Sequence, residues 1–162
     1  MVKRADKNHN IKNLTSFFLL TTLGFLMDRI TKHLVFLKFP TGKSYPLIAN
    51  LIFITPTRNS GAAFGIIPHS AGFLIIFSLF VLAVIAASST FWINKSKLSL
   101  SLGLISAGIL GNLYDRIFYS SVLDFLDLKA WPVFNLADSM ISLGCFILIL
   151  SVISEEVRTK TR

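Results

Sequence analysis

Three aspartates in this chain each stand at the edge of a long stretch without charge. Asp28 closes the uncharged run 13–27, Asp115 closes the run 98–114, and Asp138 opens the run 139–154. Polar companions recur beside them at helical spacing. Asp28 has Lys32 at i, i+4; Asn112 has Asp115 and Arg116 at i+3 and i+4; Asn135 has Asp138 at i+3. Two carboxylates brought close together cannot both ionise, so one pKa rises and the pair shares a proton. One of them can then act as a general base on water while its protonated neighbour hydrogen-bonds a scissile carbonyl. That chemistry needs no metal, no cofactor and no nucleophilic side chain.

Composition says what must position such groups. Of 162 residues, 53% are hydrophobic and 15% charged, where a water-soluble domain carries about 25% charged residues. The uncharged runs 13–27, 59–94, 98–114 and 139–154 each supply most of the roughly 20 apolar residues that cross a bilayer. Four spans are expected, which excludes a soluble enzyme, a nucleic-acid-binding domain and a disordered tail. The chain has 16 Lys+Arg against 8 Asp+Glu, and their distribution reads as topology. Lys3, Arg4, Lys7 and Lys12 precede the first span, Lys95 and Lys97 separate the second from the third, and Arg158, Lys160 and Arg162 follow the fourth. Both termini are therefore expected in the cytoplasm, with Asp28, Asp115 and Asp138 at the outer ends of their helices.

The fold expected is an all-α membrane protein: a single integral membrane domain over 1–162, with helices at about 14–37, 70–93, 98–118 and 135–153. A basic start before an apolar stretch resembles a secretory signal peptide, but Asp28-Arg29-Ile30-Thr31-Lys32-His33 follows where small residues would mark a cleavage site, so the first helix is expected to remain. Segment 47–55, β-branched and aromatic between Pro46 and Pro56, predicts a small extracytoplasmic strand or hairpin between helices 1 and 2. Segment 119–134 reads as an outer loop in which Asp124 and Asp127 are solvated charges and Trp131-Pro132 marks the interface.

Each polar group also has a plainer reading. Asn135 and Asp138 form a capping pair at a helix start, and Asp28–Lys32 and Asp115–Arg116 are ion pairs near the interface. His9, His33 and His69 have no helical partner for a metal, the lone Cys145 is a small hydrophobe, and no Ser lies in a G-x-S-x-G context. Residue patterns alone thus fit a protease and a proton-coupled transporter equally well, although a transporter would hold its site at midplane in a repeated fold.

Five blocks in order narrow this. Asp28-Arg29-Ile30-Thr31-Lys32, Asn59-Ser60-Gly61-Ala62-Ala63-Phe64, Gly108-Ile109-Leu110-Gly111-Asn112-Leu113-Tyr114-Asp115-Arg116, Val122-Leu123-Asp124-Phe125 and Phe134-Asn135-Leu136-Ala137-Asp138 together resemble bacterial lipoprotein signal peptidase, or signal peptidase II. The resemblance implies an intramembrane aspartic endopeptidase of the bacterial cytoplasmic membrane, its site toward the extracytoplasmic face. Its substrates would be diacylglyceryl-modified prolipoproteins, cut just before the lipid-modified cysteine. It also implies a monomer in contact with membrane lipid, with no cofactor, no metal and no nucleic-acid partner. Matched by residue, the catalytic pair falls on Asp124 and Asp138. Asn59, Gly61, Asn112, Arg116 and Asn135 support the pair and the substrate, Asp28 and Lys32 match the first block, and Asp115 is expected to orient Arg116 or cap its helix. Segment 47–55 corresponds to an extracytoplasmic cradle. Three positions depart from the family pattern: Arg29 where Gln is common, Ala107 where Gly is usual, and Leu123 where Val is usual.

Overall fold

The computed structural model describes residues 2–48, 51–61 and 71–160, with backbone alone for residues 2–7 and 158. Residues 62–64 of the second block, His69, and the expected helix start at Ser70 lie outside the described residues.

The first helix, α1 (Val2–Lys38), begins well before the expected residue 14. Its basic, polar first turns contain no Gly or Pro, so the helix continues out of the apolar stretch. It stops before Pro40, where the residue preceding a proline is driven out of helical geometry, and Gly42 takes φ 79° in the turn.

A hairpin follows, β1 (Tyr45–Ile48) and β2 (Ile52–Asn59). The hairpin was among the forms expected, but its strands run through both prolines that were expected to bound it. Pro56 falls inside β2, at the register shift between Ile54 and Thr57 where the ladder is already broken.

Helix α2 (Ala71–Ala87) is followed by a short α3 (Ser89–Trp92), so the second expected helix is interrupted at Ser88. The cause is local: Ser88 Oγ and Trp92 Nε1 both donate to the Ile85 carbonyl, at 3.1 and 2.9 Å, in competition with the helix ladder. Among the described residues three helices, Asn8–Lys38, Ser96–Tyr119 and Leu136–Val157, are long and apolar enough to cross a membrane, while Ala71–Ala87 is apolar but shorter.

Helix α4 (Ser96–Tyr119) lies between α1 and α5 (Leu136–Lys160). Most of its buried residues are small, among them Ser99, Ser101, Gly103, Ser106, Ala107, Gly108 and Gly111, which lets the helix backbones approach closely. A Cβ on Gly108 would strike the Ala137 carbonyl. Ala107 is fully buried and fits because α1 presents Gly24 opposite it. Large apolar side chains face outward instead, including Phe18, Phe73, Phe80 and Phe146, as lipid-facing surfaces require.

Segment 119–134 is not the irregular loop expected from sequence. After Ser120 ends α4 at φ 54°, β3 (Val122–Asp127) pairs antiparallel with β2, placing Thr57 opposite Asp124 and Arg58 opposite Leu123. The sheet has order β1-β2-β3. The sheet is thus built from both connecting segments, and its edge strand β3 carries Asp124.

Candidate active site

The start of α5 is a reciprocal cap. Asn135 Oδ1 accepts from the Asp138 amide at 2.9 Å, and Asp138 Oδ2 accepts from the Asn135 amide at 3.1 Å. The capping reading is therefore correct, and it leaves Asp138 Oδ1 free to take a hydrogen bond from Asn112 Nδ2 at 2.7 Å. Asn135 Nδ2 donates to Asp124 Oδ1 at 2.6 Å and to Asn112 Oδ1 at 3.1 Å. Asn59 Nδ2 donates to Asp124 Oδ2 at 3.1 Å, and Asn59 is itself held by the Gly61 amide at 3.1 Å. Three carboxamides from β2, α4 and the α5 cap thus tie Asp124 and Asp138 into one network.

Both aspartates line a cavity of about 270 Å³ together with Asn59, Gly61, Asn112 and Arg116. Trp131 and Pro132 close part of its wall, which the sequence had marked only as interface residues. Asp124 is 2% exposed, not a solvated loop charge. Burial, and then the nearby charge of Asp138, push its pKa up to about 6, against the opposing hydrogen bonds from Asn59 and Asn135. Arg116 faces the cavity and donates to the Asn112 carbonyl at 3.4 Å.

Beside this network lies a closed ring of four charges. Lys32 Nζ is 2.9 Å from Asp28 and 2.8 Å from Asp115; Arg29 is 2.7 Å from Asp28 and 2.6 Å from Asp115. Asp28, Asp115 and Lys32 are almost fully buried, where an unpaired charge would be prohibitive and a mutually neutralising set is tolerated. The expected Asp28–Lys32 pair is present. Among the described residues the ion pairs of Asp115 go to Arg29 and Lys32 and not to Arg116, because the turn of α4 directs it toward α1. Arg29, whose departure from the family pattern had no assigned role, is the second cation of the ring and also lies 4.7 Å from the centre of the Tyr114 ring. Sequence reasoning missed it although it directly follows Asp28, a neighbour able to neutralise it.

The ring is coupled to the aspartate network in three ways. Lys32 Nζ donates to Asn112 Oδ1 at 3.1 Å. Asp28 Oδ1 accepts from the amide of Ala137, the residue before Asp138, at 3.1 Å. Asp115 Oδ2 accepts from the amide of Leu123, the residue before Asp124, at 3.2 Å.

Asp127 stands apart at the far end of β3. It is 6% exposed rather than solvated, accepting from Thr55 Oγ1 and Lys129 Nζ, both at 2.8 Å. The bond from Lys129 holds its carboxyl below the usual range. Among the described residues, no three His, Cys, Asp or Glu side chains gather as a metal-ligand set.

Comparison with known proteins shows the family of the chain. The family model described as signal peptidase (SPase) II matches residues 20–154. A lipoprotein signal peptidase of Pelotomaculum thermopropionicum is 34% identical over 146 residues, covering 90% of this chain and 96% of that protein. One from Syntrophomonas wolfei is 41% identical over 135 residues, covering 82% and 89%. A bacterial membrane enzyme solved by the in meso method superposes with a TM-score of 0.86 at 26% identity, covering 91% of this chain and 93% of that one. With sequence and fold agreeing over nearly the whole length, the chain belongs to the signal peptidase II family of proteases.

Proposed function

We propose that Asp124 and Asp138 are the catalytic pair of an intramembrane aspartic endopeptidase that removes signal peptides from diacylglyceryl-modified prolipoproteins. The observation that carries this reading is that both carboxylates line one cavity and share Asn135 as a hydrogen-bond partner, with Asn112 linking Asn135 to Asp138. With one proton on the pair, the ionised carboxylate takes a proton from water as the water oxygen attacks the peptide carbonyl. The protonated carboxylate donates a hydrogen bond to the carbonyl oxygen as negative charge builds there. Collapse of the tetrahedral species breaks the carbon–nitrogen bond, and a proton from the pair passes to the leaving amine, which stays on the lipid-modified cysteine. Arg116 in the cavity wall offsets negative charge, and Asn59 and Gly61 border the groove for the substrate backbone. No acyl-enzyme forms.

In this reading both chain ends are cytoplasmic, as the Lys and Arg distribution requires, and the pair opens at the extracytoplasmic face of the inner membrane. The lipid of the substrate anchors the scissile bond at that depth, so the peptide need not leave the bilayer. All the named groups come from one chain, which makes a monomer sufficient. The test is cleavage, seen as a mobility shift on a gel, of matched lipid-modified and unmodified precursors by the purified protein. Cleavage of the modified precursor alone supports the reading, and equal cleavage of both contradicts it.

A further inference from the structure

A second cavity, of about 370 Å³, shares no lining residue with the first. Arg29, Lys32, His33 and Arg58 line it, with Tyr114 and Tyr119 among the aromatic residues of its wall and no acidic residue among the described residues. Arg29 and Lys32 are neutralised by Asp28 and Asp115. Arg58 is different. It is exposed, and among the described residues it has no carboxylate partner. Its guanidinium is held 5.9 Å from the centre of the Phe36 ring and 5.6 Å from that of Tyr119, which fixes a positive charge at the cavity without neutralising it. His33 is exposed beside it and adds a polar nitrogen.

The cavity lies where α1 and α4 end, with Phe36, Tyr114 and Tyr119 forming the aromatic collar expected at the headgroup level of a bilayer. Its rim is apolar and exposed. Leu37, in its wall, is 68% exposed, and Phe118, packed on Tyr114 at 4.5 Å between ring centres, is 64% exposed. A fixed cation at headgroup depth beside exposed apolar side chains matches a molecule that carries a phosphate and acyl chains together.

We propose that this cavity binds the phosphate of an anionic phospholipid, with Arg58 as the ion-pair partner, Tyr119 and His33 as hydrogen-bond donors, and the acyl chains lying along Leu37 and Phe118. The site is separated from the aspartate pair by the four-charge ring and takes no part in peptide hydrolysis.

The test is retention of lipid by the purified full chain, read by native mass spectrometry after mixing with dioleoylphosphatidylglycerol or dioleoylphosphatidylcholine. Wild type retains the anionic lipid in preference to the zwitterionic one. Arg58→Gln lowers that retention about fivefold, the effect of one basic side chain at an anionic lipid surface, while Arg58→Lys keeps most of it. Lys12→Gln, at the other end of α1, leaves it unchanged. Equal retention of both lipids by wild type overturns the proposal whether or not Arg58→Gln folds. So does undiminished retention by a folded Arg58→Gln, and so does displacement of the lipid by equimolar inorganic phosphate, which would make the ligand free phosphate. Displacement by an acidic peptide would identify a protein partner instead and equally overturn it.

Discussion

Ala137 and Asp28 are 109 positions apart, yet the Ala137 amide donates to Asp28 Oδ1 at 3.1 Å. Leu123 bears the same relation to Asp115. Each acidic member of the charge ring therefore holds the backbone immediately before one aspartate of the proposed pair, while none of the four ring residues lines the cavity that the pair shares.

Breaking the ring leaves a buried charge without its partner. Lys32→Ala and Asp28→Ala are each expected to cost about 3–5 kcal/mol of stability. Arg29→Gln, at a side chain 18% exposed, keeps hydrogen-bonding capacity and should cost less, about 1–2 kcal/mol. In assays of the folded Arg29→Gln protein, kcat should fall while KM changes little, since positioning rather than substrate contact is lost. Thermal unfolding in detergent and steady-state cleavage measure these effects. An Arg29→Gln protein with wild-type kcat would contradict a positioning role for the ring.

Close helix approach sets a second expectation. A Cβ at residue 111 would lie 2.5 Å from Asp28 Oδ2, and one at residue 108 would meet the Ala137 backbone. Gly111→Ala and Gly108→Ala should destabilise by about 1–3 kcal/mol, whereas Gly72→Ala, with open space around it, should not. Melting temperatures of the three variants discriminate.

Titration of Asp124 gives a third. Burial and Asp138 raise its pKa to about 6, while the Asn59 hydrogen bond pulls it down. A raised carboxyl pKa means that the folded state binds the proton more tightly. Its contribution to stability is therefore full below about pH 3.8 and is lost as pH rises through about 6. Cleavage should follow a bell-shaped pH profile, absent when both aspartates are protonated and when both are ionised. Asn59→Ala removes a bond that favours the charged form, so the limb governed by Asp124 should move up by about one pH unit. A downward move would reverse the assigned sign.

The sequence read some of this directly. Asn135 and Asp138 at i, i+3 announced a cap, and Asp28 with Lys32 an ion pair, because both relationships are local in the chain. Asp124 looked like a loop charge, since β3 exists only by pairing with β2, where Thr57 opposes Asp124; the five-block resemblance, not local pattern, pointed to it. The Arg29–Asp115 bond was invisible for the same reason, being made across 86 positions. The break at Ser88 depends on an indole reaching back to Ile85, a choice that hydropathy does not register.

Nucleophile chemistry provides a fourth expectation. Cys145 is exposed on α5 and absent from the cavity wall, so Cys145→Ser and thiol-alkylating reagents should leave cleavage within about twofold of wild type, as should serine-directed acylating reagents. Covalent inactivation by either class, measured as time-dependent loss of cleavage, would require a nucleophile outside the aspartate pair.

Replacing each aspartate with its neutral amide tests the proposed pair most directly. Asparagine keeps the shape and much of the hydrogen bonding at Asp124 and Asp138, but it can neither share a proton nor act as a base. Cleavage of a diacylglyceryl-modified prolipoprotein by Asp124→Asn and by Asp138→Asn should fall below detection, with membrane-inserted protein near wild-type levels. Substantial cleavage by Asp124→Asn, together with loss of cleavage by an equally abundant Asp115→Asn, would contradict the assignment and move the chemistry to the buried ring.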